Sequence, residues 1–363
     1  MVERMNPKLS IVIPIYNVVS YLEQCLESVA RQLDVSGEDK IEIILVDDGS
    51  TDGSGQIAER FADGRFYVQL IRQKNSGVAA ARNRGMEKAR GEWLYFMDAD
   101  DWLSGDGIRL LCEALHKCRE SDIILLDAYQ ECDGISLPWE HFHSACEWRE
   151  KTEINRLQRA VLYYPMDFPG MKAPLAAPWD KLYRRDFLLR HGIAFCENLA
   201  VLDDMVFNME AFGKARIISY ETSKVYHYRR VADSITNGYK ADRVAQDGRV
   251  WRYIEDYRER AQAEGLWSHE EKASFLQAYY CRIIRSFTIC GRLHFFHQEN
   301  TKSHQEKQRY VKQVLCSNPY RTAFKEVRLR HLEWRLKIVT LLVRSGLYRG
   351  LYLLYLAQYH LAG

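Results

Sequence analysis

Two hydrophobic rhythms take turns along the first third of the chain. Residues 9–16, "LSIVIPIY", make a short unbroken apolar run rich in branched side chains, the pattern of a strand buried on both faces. In the "SYLEQCLESVARQ" that follows, Leu22, Cys25, Leu26 and Val29 recur at helical spacing, and Ser20 with Glu23 has the spacing of a capping box. "IEIILVDD" (41–48) and "RFYVQLIRQ" (65–73) read as further strands, separated by "DGSTDGSG", whose Asp, Ser and Gly suit a turn and a helix start. "NSGVAAARNRGMEKARG" predicts a helix with Ser76 as its cap and Gly91 as its stop, and "EWLYFM" (92–97) a fourth strand. "DIILLDAY" (122–129) is a candidate fifth.

Strands buried on both faces and joined by helices imply right-handed crossovers and an α/β fold with a mainly parallel central sheet. In such sheets ligands bind beyond the carboxyl ends of the strands. From 130 to 175 the rhythm weakens through "GISLPWEHFHSACEWRE", which predicts a long, partly helical excursion over the sheet. Beyond 240 the chain reads as helical and rich in Arg, Lys and aromatics. The expected division is a catalytic domain over 1–240, with a nucleotide-binding half at about 8–103 and an acceptor half at about 104–240, and a helical C-terminal region over 241–363.

Composition narrows this little. With 47% hydrophobic and 28% charged residues the 363-residue chain can build a sizeable core, and a formal charge of +2 gives no nucleic-acid footprint. Nine scattered cysteines without a CxxC pair, and a polar start lacking an export signal, fit a cytoplasmic protein with reduced thiols.

The chemistry lies where strands end. Asp47 and Asp48 close the second strand, and Asp98, Asp100 and Asp101 close the fourth in "YFMDADDW". In a parallel sheet all of these converge on one edge, where like charges destabilise each other unless a cation compensates. Hard oxygen ligands of this kind suit Mg²⁺ or Mn²⁺, which take one or two carboxylates together with substrate phosphates. The alternative, that these acids only cap the next helix, is weaker because Ser104 or Asp106 can cap "GIRLLCEALHK". His141, His143 and Cys146 in "HFHSAC", and His294 and His297 in "HFFH", lack the second half of a zinc pattern.

The ordered set "IVIPIYN", "ILVDDGSTDGS", "NSGVAAARNRG", "GEWLYFMDADDW", "APWDKLYRRDFL" and "LDDMVFNME" resembles the family 2 glycosyltransferases of GT-A fold over residues 8–235. The resemblance implies transfer of a sugar from a nucleotide-sugar donor, commonly UDP-linked, with inversion and with Mg²⁺ or Mn²⁺. It places Pro14, Tyr16 and Asn17 beside the nucleoside, Asp48 against the base with Asp47 next to it, and Arg82 on the nucleotide side. Asp98 would meet the ribose or the metal, Asp100 would ligate the metal, and Asp101 would orient the loop or the sugar hydroxyls. Asp204 aligns with the family's catalytic carboxylate, and Asp203 stands where the family usually has Glu, one methylene longer. Trp179 is implied to be either a sugar platform or core, with Lys181 in the same acceptor-side block, and His227, Arg229, Arg230 and Ser234 belong to a late block that closes over the diphosphate.

Between 321 and 349 eight Lys or Arg stand against two Glu, interleaved with leucines, valines and tyrosines. Arg344, Ser345, Gly346 and Arg349 interrupt the apolar run, so an amphipathic pair of helices lying on an anionic membrane, or packed on the catalytic domain, is expected rather than a span. The predicted activity is an inverting glycosyl transfer to a saccharide or lipid-linked acceptor in cell-surface polysaccharide synthesis, at the inner face of the cell membrane. The rivals are an inactive scaffold of the same fold and a nucleotidyltransferase, which would want a Gly/Lys-rich phosphate loop near the N-terminus that "IVIPIYN" does not offer.

Overall fold

The computed structural model describes residues 7–36, 40–164, 170–230 and 238–360. It divides into two units: Met1–Val161 with Phe168–Arg230, and Leu162–Asp167 with Val231–Gly363.

The first unit contains a ten-stranded sheet. Its strands are β1 (Leu9–Ile15), β2 (Ile41–Asp47), β3 (Val68–Arg72), β4 (Trp93–Phe96), β5 (Trp102–Leu103), β6 (Ile123–Cys132), β7 (Ile135–Trp139), β8 (Cys146–Trp148), β9 (Lys181–Arg184) and β10 (Ile218–Arg229). Its helices are α1 (Val19–Ser36), α2 (Ser54–Ala62), α3 (Val78–Lys88), α4 (Gly107–Lys117), α5 (Lys151–Leu162), α6 (Arg185–Arg190) and α7 (Asp203–Lys214). The strand order is β3-β2-β1-β4-β9-β6-β10-β5, with β7 beside β6 and β8 beside β10. β1 and β2 are buried along their whole length, as their unbroken apolar runs require.

The parallel pairing expected from the strand–helix alternation holds for β3-β2-β1-β4 and for β6 with β10. Segments without that alternation add antiparallel strands: β9 between β4 and β6, and β5, β7 and β8 around them. After β1 the chain builds β2 and β3 on one side and returns with β4 on the other. The carboxyl ends of β1 and β4 therefore flank a topological switch point, the usual ligand crevice of such sheets. Gly85 sets how closely α3 approaches, since a Cβ there would stand 2.2 Å from a methyl of Val12 in β1.

Local starts and stops differ from the sequence expectations. Ser20 lies inside α1, and the helix start is held instead by Asp52, which accepts from the Val19 N–H (2.9 Å) and also from the Ser54 N–H (3.0 Å). Ser76 does not cap α3; its hydroxyl donates to the Lys74 carbonyl, the cap position is Gly77, and the helix stops before Ala89.

The second unit is helical among the described residues: α8 (Arg243–Ala263), α9 (His269–Cys290) continued by a wider turn at Gly291–Phe295, α10 (His304–Cys316), α11 (Tyr320–Glu326), a tight turn at Leu329–His331, α12 (Trp334–Arg344) and α13 (Tyr348–His360). Capping boxes at Ser268 and Ser303 start α9 and α10. Among the described residues no helix is long and apolar enough to cross a membrane.

Candidate active site

β1 and β4 stop pairing at Val12 and Phe96, so the missing N–H of Pro14 removes no bond from that ladder. Pro14 itself is buried within β1 opposite Val46. Tyr16, two residues on, is 46% exposed and presents a ring of the kind that stacks on a planar base. Asn17, in the left-handed region at φ 51°, accepts through Oδ1 from the Thr51 N–H at 2.8 Å and ties the β1 exit to the loop after β2.

The acids after β2 turn inward. Asp47 accepts from the Ser50 N–H (3.0 Å) and packs against Gly55 at the start of α2, so it supports the loop and does not face the crevice. Asp48 is 2% exposed and accepts from Gln73 Nε2, Ser76 N–H and Gly77 N–H, each at 2.8 Å. In this structure its carboxylate shapes the turn into α3. Gln73 and Gly77 were not singled out in the sequence, and Ser76 only as a helix cap, although a buried carboxylate needs such donors.

The acids after β4 separate by environment. Asp101 is buried: its Oδ2 accepts from the Tyr226 hydroxyl at 2.7 Å and its Oδ1 from the Arg229 N–H at 2.7 Å. Burial and its two acidic neighbours push its carboxyl well above the usual range. It locks the loop to β10, the loop-orienting one of the two roles the resemblance implied for it. Tyr226, which the sequence reading missed, also accepts from the Asp98 N–H at 3.0 Å and so binds both ends of the motif. Asp98 and Asp100 remain part-exposed. Burial and the Asp98 charge raise the Asp100 carboxyl, and no ion pair engages it among the described residues.

Arg229 holds the Asp100 backbone, donating from Nε to its carbonyl at 2.9 Å and from Nη2 to Gln24 at 2.6 Å, with its guanidinium over the rings of Tyr21 and Trp102. His227 stacks between Trp102 and Tyr129 and meets Glu131 through Nδ1 at 2.7 Å. Both residues thus flank the acidic loop. Arg230, at the end of this strand, donates its N–H to the Glu131 carbonyl. Ser234 lies outside the described residues.

Arg82, on α3, is 3% exposed and joins the two sides of the site. Its Nη2 meets Asp98 at 2.8 Å, and its Nη1 meets Asp204 at 2.5 Å and Asp203 at 3.6 Å. In this structure the guanidinium is committed to acids, one of them the donor-side Asp98. The next residue, Asn83, accepts from the Phe195 N–H (2.9 Å) and donates to its carbonyl (2.8 Å), stitching α3 to the segment that leads into α7. Leu202, in the left-handed region at φ 61°, turns that segment so that Asp203 and Asp204 form the first turn of α7. There the helix dipole favours their charge.

Three carboxylates around one cation leave negative charge in excess. Burial, with Asp203 and Asp98 adding to it and Arg82 opposing, raises the Asp204 carboxyl to about 7. Asp204 keeps 35% of its side chain exposed, whereas Asp203 keeps 13% and stops short of a hydrogen bond to Arg82.

The acceptor-side block is structural. Trp179 is 5% exposed and stacks on Tyr226 and Tyr228 at 5.0 and 5.2 Å, which settles it as core. Lys181 is fully buried, donating to Asp180 and to the Ala177 carbonyl at 2.6 Å, while His141 Nε2 lies 2.9 Å from the other Asp180 oxygen. Lys181 therefore reaches no acceptor. Asn208 on α7 donates to the Ala176 and Asp204 carbonyls, binding the Ala176–Ala177 segment to the helix that carries Asp204.

Among the described residues no group of three or more His, Cys, Asp or Glu is arranged to hold a metal ion by itself. Asp98 and Asp100, both part-exposed, could hold a cation that takes one or two carboxylates and completes its shell with phosphates and water.

Residues 10–188 match the family described as "Glycosyl transferase family 2". EpsH of Bacillus subtilis (strain 168), named as a glycosyltransferase, is 31% identical over 278 residues, covering 75% of this chain and 70% of its own. The crystal structure of Staphylococcus aureus TarS 1–349 superposes with a TM-score of 0.66 at 20% identity, covering 98% of this chain and 92% of that one. Its complex with UDP-GlcNAc gives 0.63 at 22% identity, covering 93% and 87%. At these identities the structural likeness is one of fold.

Proposed function

This chain belongs to glycosyl transferase family 2 and is a glycosyltransferase, and from that premise we propose that its donor is a UDP-linked sugar and its acceptor a saccharide or lipid-linked hydroxyl. The product is a bacterial cell-surface polysaccharide or its precursor. The observation that carries the reading is the Asp98–Arg82–Asp204 bridge, which sets a base candidate at a fixed offset from the donor-side acids.

Tyr16 stacks on the base, and the turn built on Asp48 forms the pocket wall beside it. Asp98 and Asp100 are the residues that would hold Mg²⁺ or Mn²⁺, which would supply charge stabilisation for the leaving diphosphate. The acceptor oxygen attacks the anomeric carbon from the face opposite the nucleotide. The bond from that carbon to the diphosphate breaks with its electron pair on the departing oxygen, so the centre inverts. The acceptor proton passes to Asp204, whose Oδ1 is held by Arg82 and whose Oδ2 is the oxygen left to take it. A carboxyl raised to about 7 is matched to taking up that proton near neutral pH.

Thermal melting with UDP and UDP-sugars, with and without Mn²⁺, tests donor binding, because a ligand of the native state must raise its apparent stability. A Mn²⁺-dependent rise that Asp100→Ala removes is expected. No rise with any nucleoside diphosphate or nucleotide sugar would remove the donor assignment. Unchanged acceptor transfer in Asp204→Asn would remove the base assignment.

A further inference from the structure

The helical unit carries one surface unlike the rest of it. All five exposed large apolar side chains among its described residues fall between 334 and 353: Trp334 (65%), Ile338 (39%), Leu341 (49%), Leu347 (57%) and Leu353 (63%). Helix α12 buries Leu336, Val339 and Thr340 toward the unit's core, while Trp334, Ile338 and Leu341, spaced i, i+4 and i+7, form a stripe on the opposite face. A helix apolar on both faces normally buries both. Leu347, in the turn after α12, and Leu353 on α13 are exposed as well.

The charge on α12 and α13 themselves has one sign, and Glu333, at the cap of α12, faces Arg285 at 3.8 Å. From Trp334 to the last residue there is no Asp or Glu, whereas Arg335, Lys337 and Arg349 lie within the same segment. The Arg335 guanidinium sits over the Trp334 ring at 5.2 Å, covering its face with a cation. Arg344 belongs to the scaffold instead, donating to the carbonyls of Phe324, Lys325 and Val327 and so anchoring the end of α12.

We propose that the Trp334–Ile338–Leu341 face, with Leu347 and Leu353, is a docking surface for an anionic lipid bilayer, inserted in the plane of the interface. Charge complementarity selects this occupant. A second copy placed on the same patch would bring cationic flanks against each other, since a two-fold contact pairs a surface with itself. A bilayer with anionic headgroups offers apolar depth for the stripe and negative charge for Arg335, Lys337 and Arg349. The length of α12, about 16 Å at the usual rise, is half of what spanning needs, so it lies in the interface and does not cross. This inference is independent of the transferase reading, because donor binding and lipid binding have separate readouts.

The test is flotation of the full chain with phosphatidylcholine vesicles, with and without phosphatidylglycerol. Flotation only with phosphatidylglycerol, weakened by salt, is expected. Trp334→Ser/Ile338→Ser/Leu341→Ser should abolish it, and Arg335→Glu/Lys337→Glu should weaken it at least tenfold. Both variants change residues outside the core, exposed except for the half-buried Lys337, and an unchanged melting temperature with an unchanged response to UDP establishes that they fold. Equal flotation with neutral vesicles, wild-type flotation by the triple variant, or a concentration-dependent dimer that the triple variant abolishes would each overturn the proposal, the last by assigning the face to a second copy.

Discussion

As the proposed base, Asp204 would couple catalysis and stability in opposite directions. Its carboxyl, raised to about 7, lies above the value of about 3.9 expected in the unfolded chain, so the folded state binds more protons between those limits. Stability from this group is therefore fully present below pH 4 and is lost as pH rises through 7, while a proton-accepting role is gained over the upper part of the same window. Asp204→Asn should cut kcat by about 10² or more, as expected for loss of a general base, yet melt a few degrees higher than wild type at pH 8. That gap should close as pH falls toward 4, and a pH series of melting curves on both proteins measures it. A gap independent of pH would mean that Asp204 is not the group carrying the excess proton. The identity of Asp204 was legible from its motif, but its tie to Arg82 was not. A carboxylate on α7 and a guanidinium on α3 are 122 positions apart and meet only through the fold.

At the scale of elements, the "ARN" stretch of α3 reads as a two-handed clasp: Arg82 holds the carboxylate of α7, and Asn83 holds the backbone before it. Removing the Asn83 side chain leaves the Phe195 N–H and carbonyl without these partners, a cost of about 1–3 kcal/mol for a buried group. Asn83→Ala should therefore lower kcat with little change in UDP-induced melting, because the Asn83 side chain bonds to the segment before α7 and not to Tyr16, Asp98 or Asp100. An equal loss of UDP response would show that the α3 contact supports the donor side too. Unbroken apolar runs made β1, β2 and β4 legible, and helical spacing made α1 and α3 so. The caps were not, because the donors and acceptors that end these helices come from other loops: Asp52 for α1, Asp48 for the turn before α3. β9 was also hidden, since a four-residue strand between a loop and α6 carries too few positions to show a period.

For the whole molecule, the sheet and every described residue assigned to donor, metal or base lie in one unit, whose last strand, β10, ends at Arg229. The near-neutral total conceals the division of labour: residues 321–349 carry an excess of +6, so the remainder of the chain is net negative by four. This is why the overall composition could exclude a nucleic-acid footprint but could not reveal a cationic surface. If donor recognition is a property of the first unit, a chain ending at residue 240 should keep the Mn²⁺-dependent melting response to UDP, while losing the lipid flotation assigned to α12 and α13. The two responses then separate on one truncation, and salt separates them again. Raising ionic strength should release an exposed cationic patch from vesicles well before it disturbs acids held by hydrogen bonds in a part-buried crevice. Loss of the UDP response in a truncated chain that still melts cooperatively would instead make the helical unit part of the donor site.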